Sequence, residues 1–347
     1  MKRTAKSMMY GLVASVFAFA TGAVIAEDAV EYVTCVNIGY TSGPCLPSGW
    51  SDGLAPSQEK QYLVLNTRNA DNKEYVLSTG NNSGTAFTFE GGLITVGNQS
   101  TNGKIIFCGC GTTTFPNGLK IYKAHGSNVN FGNSNNQNTY THHIGGPITL
   151  DSAYHSAPQF TSAFRSNGQH LHFDGALIGD DETGMQFYGN EWSNNNTNDI
   201  VAFSGDLTQY YGYIDIKGSS KVKVPDVQPE QICTNTLILA LGNVECPGTV
   251  KLTDGQYAFL RTIDTDDTAK IAKLVMPDGA TIFPQVDIVN KKCGVIEVTG
   301  EFTHSGKQCI RAKFLNPFNS CDHGRLSLPV LKVAKTAGTL NADDFEL

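Results

Sequence analysis

Short segments in which apolar and polar residues alternate recur along this chain, separated by glycine, asparagine, aspartate and proline. Alternation with a period of two predicts β-strands. At three to five residues each, the segments are too short for a large barrel or for a sandwich of long strands. They suit a chain that coils round an axis, so that each turn stacks on the previous one. We therefore predict an all-β fold, a right-handed parallel β-helix (β-solenoid) with little helix.

The alternating segments are 62–65, 87–89, 94–96, 104–107, 119–122, 129–131, 148–150, 171–173, 200–203, 213–216, 222–224, 237–239, 250–252, 295–298 and 326–328. The segment 267–276 allows two interpretations, a helix with Asp267 as its N-cap or a strand that ends before Pro277. With about 22 residues per turn, the chain would complete about 14 turns.

The composition agrees with a strand-rich and turn-rich chain. Charged residues make up 16% of it, and polarity is carried instead by 36 glycines, 32 threonines and 27 asparagines. An average soluble domain has roughly 25% charged residues. The formal net charge is −7, and no basic patch dominates. The sequence therefore disfavours nucleic acid as a partner and an electrostatic attachment to membranes.

A five-residue motif is expected at the corners of the coil. It has a central glycine, any residue on each side of it, and an apolar residue at each end. A glycine there can adopt a positive φ while both flanking side chains point into the core, which a bend between two strands requires. The motif occurs as Phe89-Glu90-Gly91-Gly92-Leu93, Phe173-Asp174-Gly175-Ala176-Leu177, Phe203-Ser204-Gly205-Asp206-Leu207 and Val298-Thr299-Gly300-Glu301-Phe302.

The first 26 residues are predicted to be a secretory signal peptide that is cleaved after Ala26. Basic residues come first, an apolar stretch over 8–20 follows, and small residues lead to Ala26. That stretch is shorter than the ~20 residues that a membrane span needs. We expect residues 27–347 to form a single exported β-solenoid domain without a transmembrane helix. The nearest candidate for an internal boundary is 225–232.

All nine cysteines follow the predicted signal peptide. In an oxidising compartment the close pairs Cys35/Cys45 and Cys233/Cys246 are predicted to form disulfides, and the odd count leaves at least one thiol unpaired or intermolecular. The spacing of Cys108 and Cys110 does not fit a zinc site. A structural role is the simpler interpretation of these two residues, and redox chemistry is the alternative.

Residues 200–218 resemble an autotransporter-associated β-strand repeat. They read as an apolar strand, then Ser204-Gly205, a short polar span with an aromatic residue before Gly212, and a second strand. The strands at 145–150 and 171–179 resemble those that lead into such repeats, and Trp50-Ser51-Asp52-Gly53 resembles the Trp-rich opening of these secreted bacterial proteins. The resemblance covers about 50–225 and implies a right-handed β-helix exported by a Gram-negative-type cell, often as a passenger domain.

Autotransporters also carry a C-terminal outer-membrane barrel of many alternating strands. We do not expect one within these 347 residues. The chain would then be a C-terminally truncated fragment, a short gene product, or a passenger-like protein that is released or held by other means.

Parallel β-helices also include pectate lyases and polygalacturonases, so a polysaccharide-active enzyme (lyase or glycoside hydrolase) is the alternative function. Asp180 and Asp181 are the carboxylates that would serve as acid and base. However, the Asn-Thr-Asp, Gly-His-Gly and Arg-Ile-Lys motifs of polygalacturonases are not matched, and only five scattered arginines follow residue 26 for the binding of uronates. We interpret Asp180, Asp181 and Glu182 as solvated turn residues, and we predict no catalytic residue and no cofactor.

Five of the eight histidines fall between 142 and 172. On a strand, His170, His172 and Asp174 would share one face, an arrangement that can bind a transition metal. The simpler interpretation, which we adopt, is a solvated outer face without a metal. The run Asp264-Thr265-Asp266-Asp267 lacks the later glycine and glutamate of a calcium-binding EF-hand loop.

The sequence as a whole predicts a secreted, non-enzymatic β-solenoid with a structural or adhesive role at the cell surface or in the extracellular space. Its partners would be surface glycans or host and matrix components.

Overall fold

The computed structural model describes residues 31–36, 49–65, 76–78, 87–97, 104–108, 111–122, 128–131, 140–151, 162–163, 169–188, 199–217, 237–253, 258–316, 327–335, 337 and 340–346. The described residues from Tyr32 onward belong to one compact unit. The predicted signal peptide (1–26), the candidate boundary at 225–232 and the predicted strand at 222–224 lie outside the described residues.

The described residues form strands and one short 3₁₀ helix, Ala342–Asp344. In chain order the strands begin with β1 (Tyr32–Thr34), β2 (Gln61–Val64), β3 (Val76–Ser78), β4 (Phe87–Thr88), β5 (Ile94–Val96), β6 (Lys104–Cys108), β7 (Gly111–Thr114), β8 (Leu119–Tyr122), β9 (Asn128–Phe131), β10 (Tyr140–Gly145), β11 (Ile148–Asp151), β12 (Ser162–Ala163), β13 (Gln169–Phe173), β14 (Leu177–Gly179) and β15 (Gly184–Tyr188). They continue with β16 (Asp199–Phe203), β17 (Gln209–Tyr210), β18 (Tyr213–Lys217), β19 (Leu237–Leu241), β20 (Glu245–Leu252), β21 (Ala258–Thr262), β22 (Thr268–Met276), β23 (Thr281–Ile282), β24 (Gln285–Asp287), β25 (Lys292–Cys293), β26 (Val295–His304), β27 (Gln308–Ile310), β28 (Lys313–Phe314), β29 (Leu331–Val333) and β30 (Phe345–Glu346).

Three long parallel sheets contain most of these strands. Sheet 1 has the order β1-β2-β5-β8-β11-β14-β17, sheet 2 has the order β4-β7-β10-β13-β16-β19-β21-β23-β27-β30, and sheet 3 has the order β12-β15-β18-β20-β22-β26-β29. Two further sheets have three strands each, in the orders β3-β6-β9 and β25-β24-β28. From β13 to β18 the chain visits sheet 2, sheet 1 and sheet 3 twice in that order. This is the path of a parallel β-helix, so the predicted fold class is confirmed.

The pairing register shows that the turns of the coil differ in length. Phe173 of β13 pairs with Phe203 of β16, and Phe203 pairs with Leu241 of β19. Leu241 then pairs with Thr262 of β21, after a much shorter stretch of chain than either of the two preceding steps. The uniform turn length expected from the sequence therefore fits only the shortest turns, and the number of turns derived from it is too high. Segments of different length therefore separate strands that stay in register.

The core consists of columns of inward-facing side chains that stack from turn to turn. Leu237, Leu239 and Leu241 of β19 are fully buried. Phe173 and Phe203 stack with ring centroids 4.7 Å apart and planes 10° from parallel. Each fully buried side chain of this size contributes about 1.5–3 kcal/mol relative to an exposed one. The stacked columns are therefore the main source of stability.

Two details of the strand prediction are corrected or resolved. In the described part of the predicted strand 326–328, residues 327–328 have no regular structure, and the next strand begins at Leu331. The segment 267–276 is a strand rather than a helix, since Thr268–Met276 pairs with neighbours on both sides. Among the described residues, no helix has the length and apolarity needed to cross a membrane.

The glycine corners are present, but the reason for glycine differs from the prediction. The apolar residues two positions before and two positions after Gly175 and Gly205 are buried as expected. Neither glycine has a positive φ. Instead, a Cβ at Gly205 would meet the carbonyl oxygen of Gly175, and a Cβ at Gly175 would meet that of Gly146, both far inside van der Waals distance. Glycine is required because successive corners stack backbone on backbone. Gly300 lies within β26 instead of at a turn.

Candidate functional site

A cluster of histidines lies on the outer face of sheet 2, where β10 and β13 run side by side. Leu171 and Phe173 of β13 and Ile144 of β10 point into the core. Because side chains alternate along a strand, the residues between them point outward. The register pairs His143 directly with His172. Their ring centroids are 4.6 Å apart, and both side chains are half-buried.

Asp174 completes this cluster from the end of β13. Its Oδ2 lies 2.7 Å from Nδ1 of His143. Its Oδ1 accepts a 2.6 Å hydrogen bond from the hydroxyl of Ser204 on the next turn. Ser204 is held in turn by a backbone hydrogen bond from its amide to the carbonyl of Phe173. Both carboxylate oxygens therefore have partners that fix the orientation of the group.

Burial and nearby positive charge act on the imidazoles of this face. Burial lowers the pKa of His172 below its ordinary value, the charge of His143 lowers it further, and Asp174 opposes the shift. Burial and then the charge of Arg261 lower the pKa of His170. Burial therefore favours the neutral form of both imidazoles.

Arg261 belongs to the same outward column as His172, with Ala202 and Ala240 between them. The two small side chains leave space for the long arginine side chain along the sheet. Its Nε is buried and has no hydrogen-bond partner among the described residues. Burial lowers the pKa of Arg261, and Asp264 opposes this effect.

The structure brings together a different trio from the one that the sequence suggested. The sequence placed His170, His172 and Asp174 on one face. In the structure, the ligand atoms of His143, His172 and Asp174 lie within 4.8 Å of one another. His170 lies further along β13, its ring centroid 6.5 Å from that of His172. Sequence reasoning missed His143 because its proximity depends on the register between two turns. The interpretation of a merely solvated face is also too simple, since the rings are half-buried and in contact.

The outer face of sheet 2 becomes apolar farther along the stack. Ile238, Phe259 and Phe283 form a second buried cluster apart from the main core, and Ile200 packs against it. The Phe259 and Phe283 ring centroids are 5.4 Å apart. The histidine cluster therefore lies on the polar part of this outer face, and the buried apolar cluster lies farther along the stack.

The carboxylates considered for an enzymatic site serve turns instead. Oδ1 of Asp180 accepts a hydrogen bond from the amide of Glu182, which stabilises the turn between β14 and β15. Asp181 and Glu182 are exposed, as the sequence predicted. In the run 264–267, the carboxylate of Asp267 accepts a hydrogen bond from the amide of Asp264, and burial raises its pKa.

The predicted disulfides are not supported by the described cysteines. Cys45 and Cys233 lie outside the described residues, as do Cys110 and Cys321. Cys246, Cys293 and Cys309 are thiols. Burial raises the pKa of the Cys246 thiol from 9.0 to about 11.

No protein-family model, no curated protein and no solved structure matches this chain. The resemblance to autotransporter-associated repeats therefore stays a prediction.

Proposed function

We propose that this protein is an exported, non-enzymatic β-solenoid that acts as a structural or adhesive scaffold at the cell surface or outside the cell. The observation that supports it is the parallel stack itself. Sheet 2 alone contains ten strands, and the largest buried side chains line the columns between turns. A stack of this kind presents repeated outward columns over a long surface, which suits multivalent contact with a polymeric partner.

The proposal has two parts, export and attachment, and each can be tested separately. For export, the full-length chain is expressed with its own leader in a Gram-negative host, which is then fractionated. We expect the exported protein to begin at Glu27, as determined by intact mass and N-terminal peptide mapping. A matched chain without residues 1–26 should stay in the cytoplasm. Retention of residues 1–26 on the exported protein would contradict this part.

For attachment, the purified protein is tested for binding to immobilised surface glycans and matrix proteins, with a heat-unfolded sample as control. We expect saturable binding by the folded chain only. Depolymerising activity on pectin or polygalacturonate, with or without Ca²⁺, would contradict the non-enzymatic role. If that activity were lost on Asp180→Asn or Asp181→Asn substitution, the enzyme alternative would replace the proposal.

A further inference from the structure

We propose that His143, His172 and Asp174 form a binding site for a divalent transition-metal ion such as Zn²⁺ on the outer face of sheet 2. The three ligand atoms lie within 4.8 Å of one another and come from two turns of the coil. This site is independent of the proposed scaffold role, since it requires only the register between β10 and β13.

The chemistry of the three ligands suits Zn²⁺. Two imidazole nitrogens and one carboxylate oxygen are a common ligand set for this ion, and they leave one position open for water. With bonds of about 2.0–2.1 Å, ligand atoms around tetrahedral zinc are roughly 3.3 Å apart. His143 Nδ1 and Asp174 Oδ2 are 2.7 Å apart now, joined by a hydrogen bond that the ion would replace. Small side-chain rotations achieve this, while the paired strands hold the backbone.

The surroundings of Asp174 prepare it as a ligand. The Ser204 hydroxyl binds Oδ1, so that Oδ2 is the oxygen that faces His143. Groups that orient a ligand in this way typically change metal affinity by about 10–100-fold when they are removed. The side chains of His143 and Asp174 are 36% and 38% exposed, so that an ion can enter from solvent.

The positive charge of Arg261 lies within electrostatic range of His172 and opposes a cation. It acts from a position three strands away along the sheet, with Ala202 and Ala240 between. The three ligands act on the ion at bond distance, whereas the charge of Arg261 is farther away and is screened by solvent at this partly exposed site. We therefore expect Arg261 to weaken binding without abolishing it.

The test is zinc titration calorimetry on the full chain, without a histidine tag and stripped of metal with EDTA. We expect one Zn²⁺ per chain. His143→Gln, His172→Gln and Asp174→Asn should each lower the affinity at least ~10-fold, and Ser204→Ala should lower it about 10-fold. His170→Gln is the matched control, because His170 lies on the same face and strand but outside the trio. It should keep the affinity of the unsubstituted chain within about threefold.

Melting curves in EDTA show whether each variant folds, and only variants that melt like the unsubstituted chain are compared. Cobalt(II) is then bound in place of zinc, because a thiolate ligand gives a charge-transfer band that imidazole and carboxylate ligands do not give. We expect no such band. Three results would overturn the proposal: no saturable binding of zinc, a thiolate band, or a loss of affinity in His170→Gln as large as that in His143→Gln.

Discussion

At the scale of single residues, the glycines of this chain fall into distinct physical classes. Gly175 has an ordinary backbone conformation, but a Cβ there would meet the carbonyl of Gly146. Gly53 has a φ of 65° and open space around it. Gly242 follows β19, and its closest neighbours would lie at ordinary van der Waals distances of 3.4–3.5 Å from a Cβ. The sequence motif finds the first class but gives the wrong reason for it.

Alanine substitutions should separate these classes. We expect Gly175→Ala to cost about 3 kcal/mol or more in the free energy of unfolding, since backbone must move against backbone. Gly53→Ala should cost about 1–2 kcal/mol through its left-handed conformation. Gly242→Ala should change stability by less than about 0.5 kcal/mol. Urea unfolding measures all three. A cost at Gly53 that exceeds the cost at Gly175 would show that backbone conformation, rather than close stacking, dominates.

The thiol of Cys246 provides a second prediction at this scale. Its pKa of about 11 lowers the thiolate fraction at pH 8 about 100-fold relative to the ordinary value of 9.0. Because the folded pKa is raised, the contribution of this thiol to the free energy of unfolding should be constant below pH 9 and fall as the pH rises toward 11. We expect iodoacetamide at pH 8 to modify half-exposed Cys309 in the native chain and Cys246 only after unfolding. Peptide mapping under reducing conditions measures this difference.

Without reductant, the same map tests the predicted Cys233/Cys246 disulfide. If unfolded Cys246 resists alkylation until reductant is added, and its peptide is recovered linked to that of Cys233, the bridge exists in the oxidised protein. Cys246 would then not be the buried thiol of this structure.

At the scale of elements, the positions of strands can be predicted from the sequence, but which strands pair with each other, and in which register, cannot. The predicted segments 94–96 and 119–122 have the same bounds as β5 and β8. The ambiguity at 267–276 has a physical cause. In β22, Ile271 and Lys273 are two residues apart but face residues three apart in both neighbouring strands. The spacing between inward-facing side chains of β22 therefore changes from two residues to three at this point. A spacing of three also occurs along one face of a helix, so the sequence pattern of this strand resembles that of a helix.

The stacked pair Phe173 and Phe203 joins two such elements. We expect a double-mutant cycle with Phe173→Leu and Phe203→Leu to give a coupling of about 0.5–1.5 kcal/mol, because parallel rings at 4.7 Å interact beyond the area that they bury. The control cycle pairs Phe203→Leu with Phe89→Leu, and it should be additive within about 0.5 kcal/mol because Phe89 follows β4, four strands from β16 along sheet 2. Urea melts measure both. Equal coupling in the two cycles would mean that the stacked geometry adds nothing.

At the scale of the whole molecule, every turn of the coil contacts mainly the turns before and after it. The pairing of the three long sheets joins each strand only to its two neighbours in the stack. Stability is then approximately a sum of the contributions of single turns and of the contacts between them. Damage to one turn should weaken its neighbours more than distant turns. The candidate metal ligands span two adjacent turns, so that a bound ion would act on the same local scale.

Leu239→Ala tests this property directly. Leu239 is fully buried in β19 and pairs with Val201 of β16 and Leu260 of β21. The substitution should cost about 2–5 kcal/mol locally. In native-state hydrogen exchange, we expect protection to fall in β16, β19 and β21 and to stay unchanged in β2, which belongs to a turn far from the substitution. A matched exposed change, Lys251→Ala, should alter neither region. If protection fell equally in β2, the stack would unfold as one cooperative unit, and the additive description of its turns would be wrong.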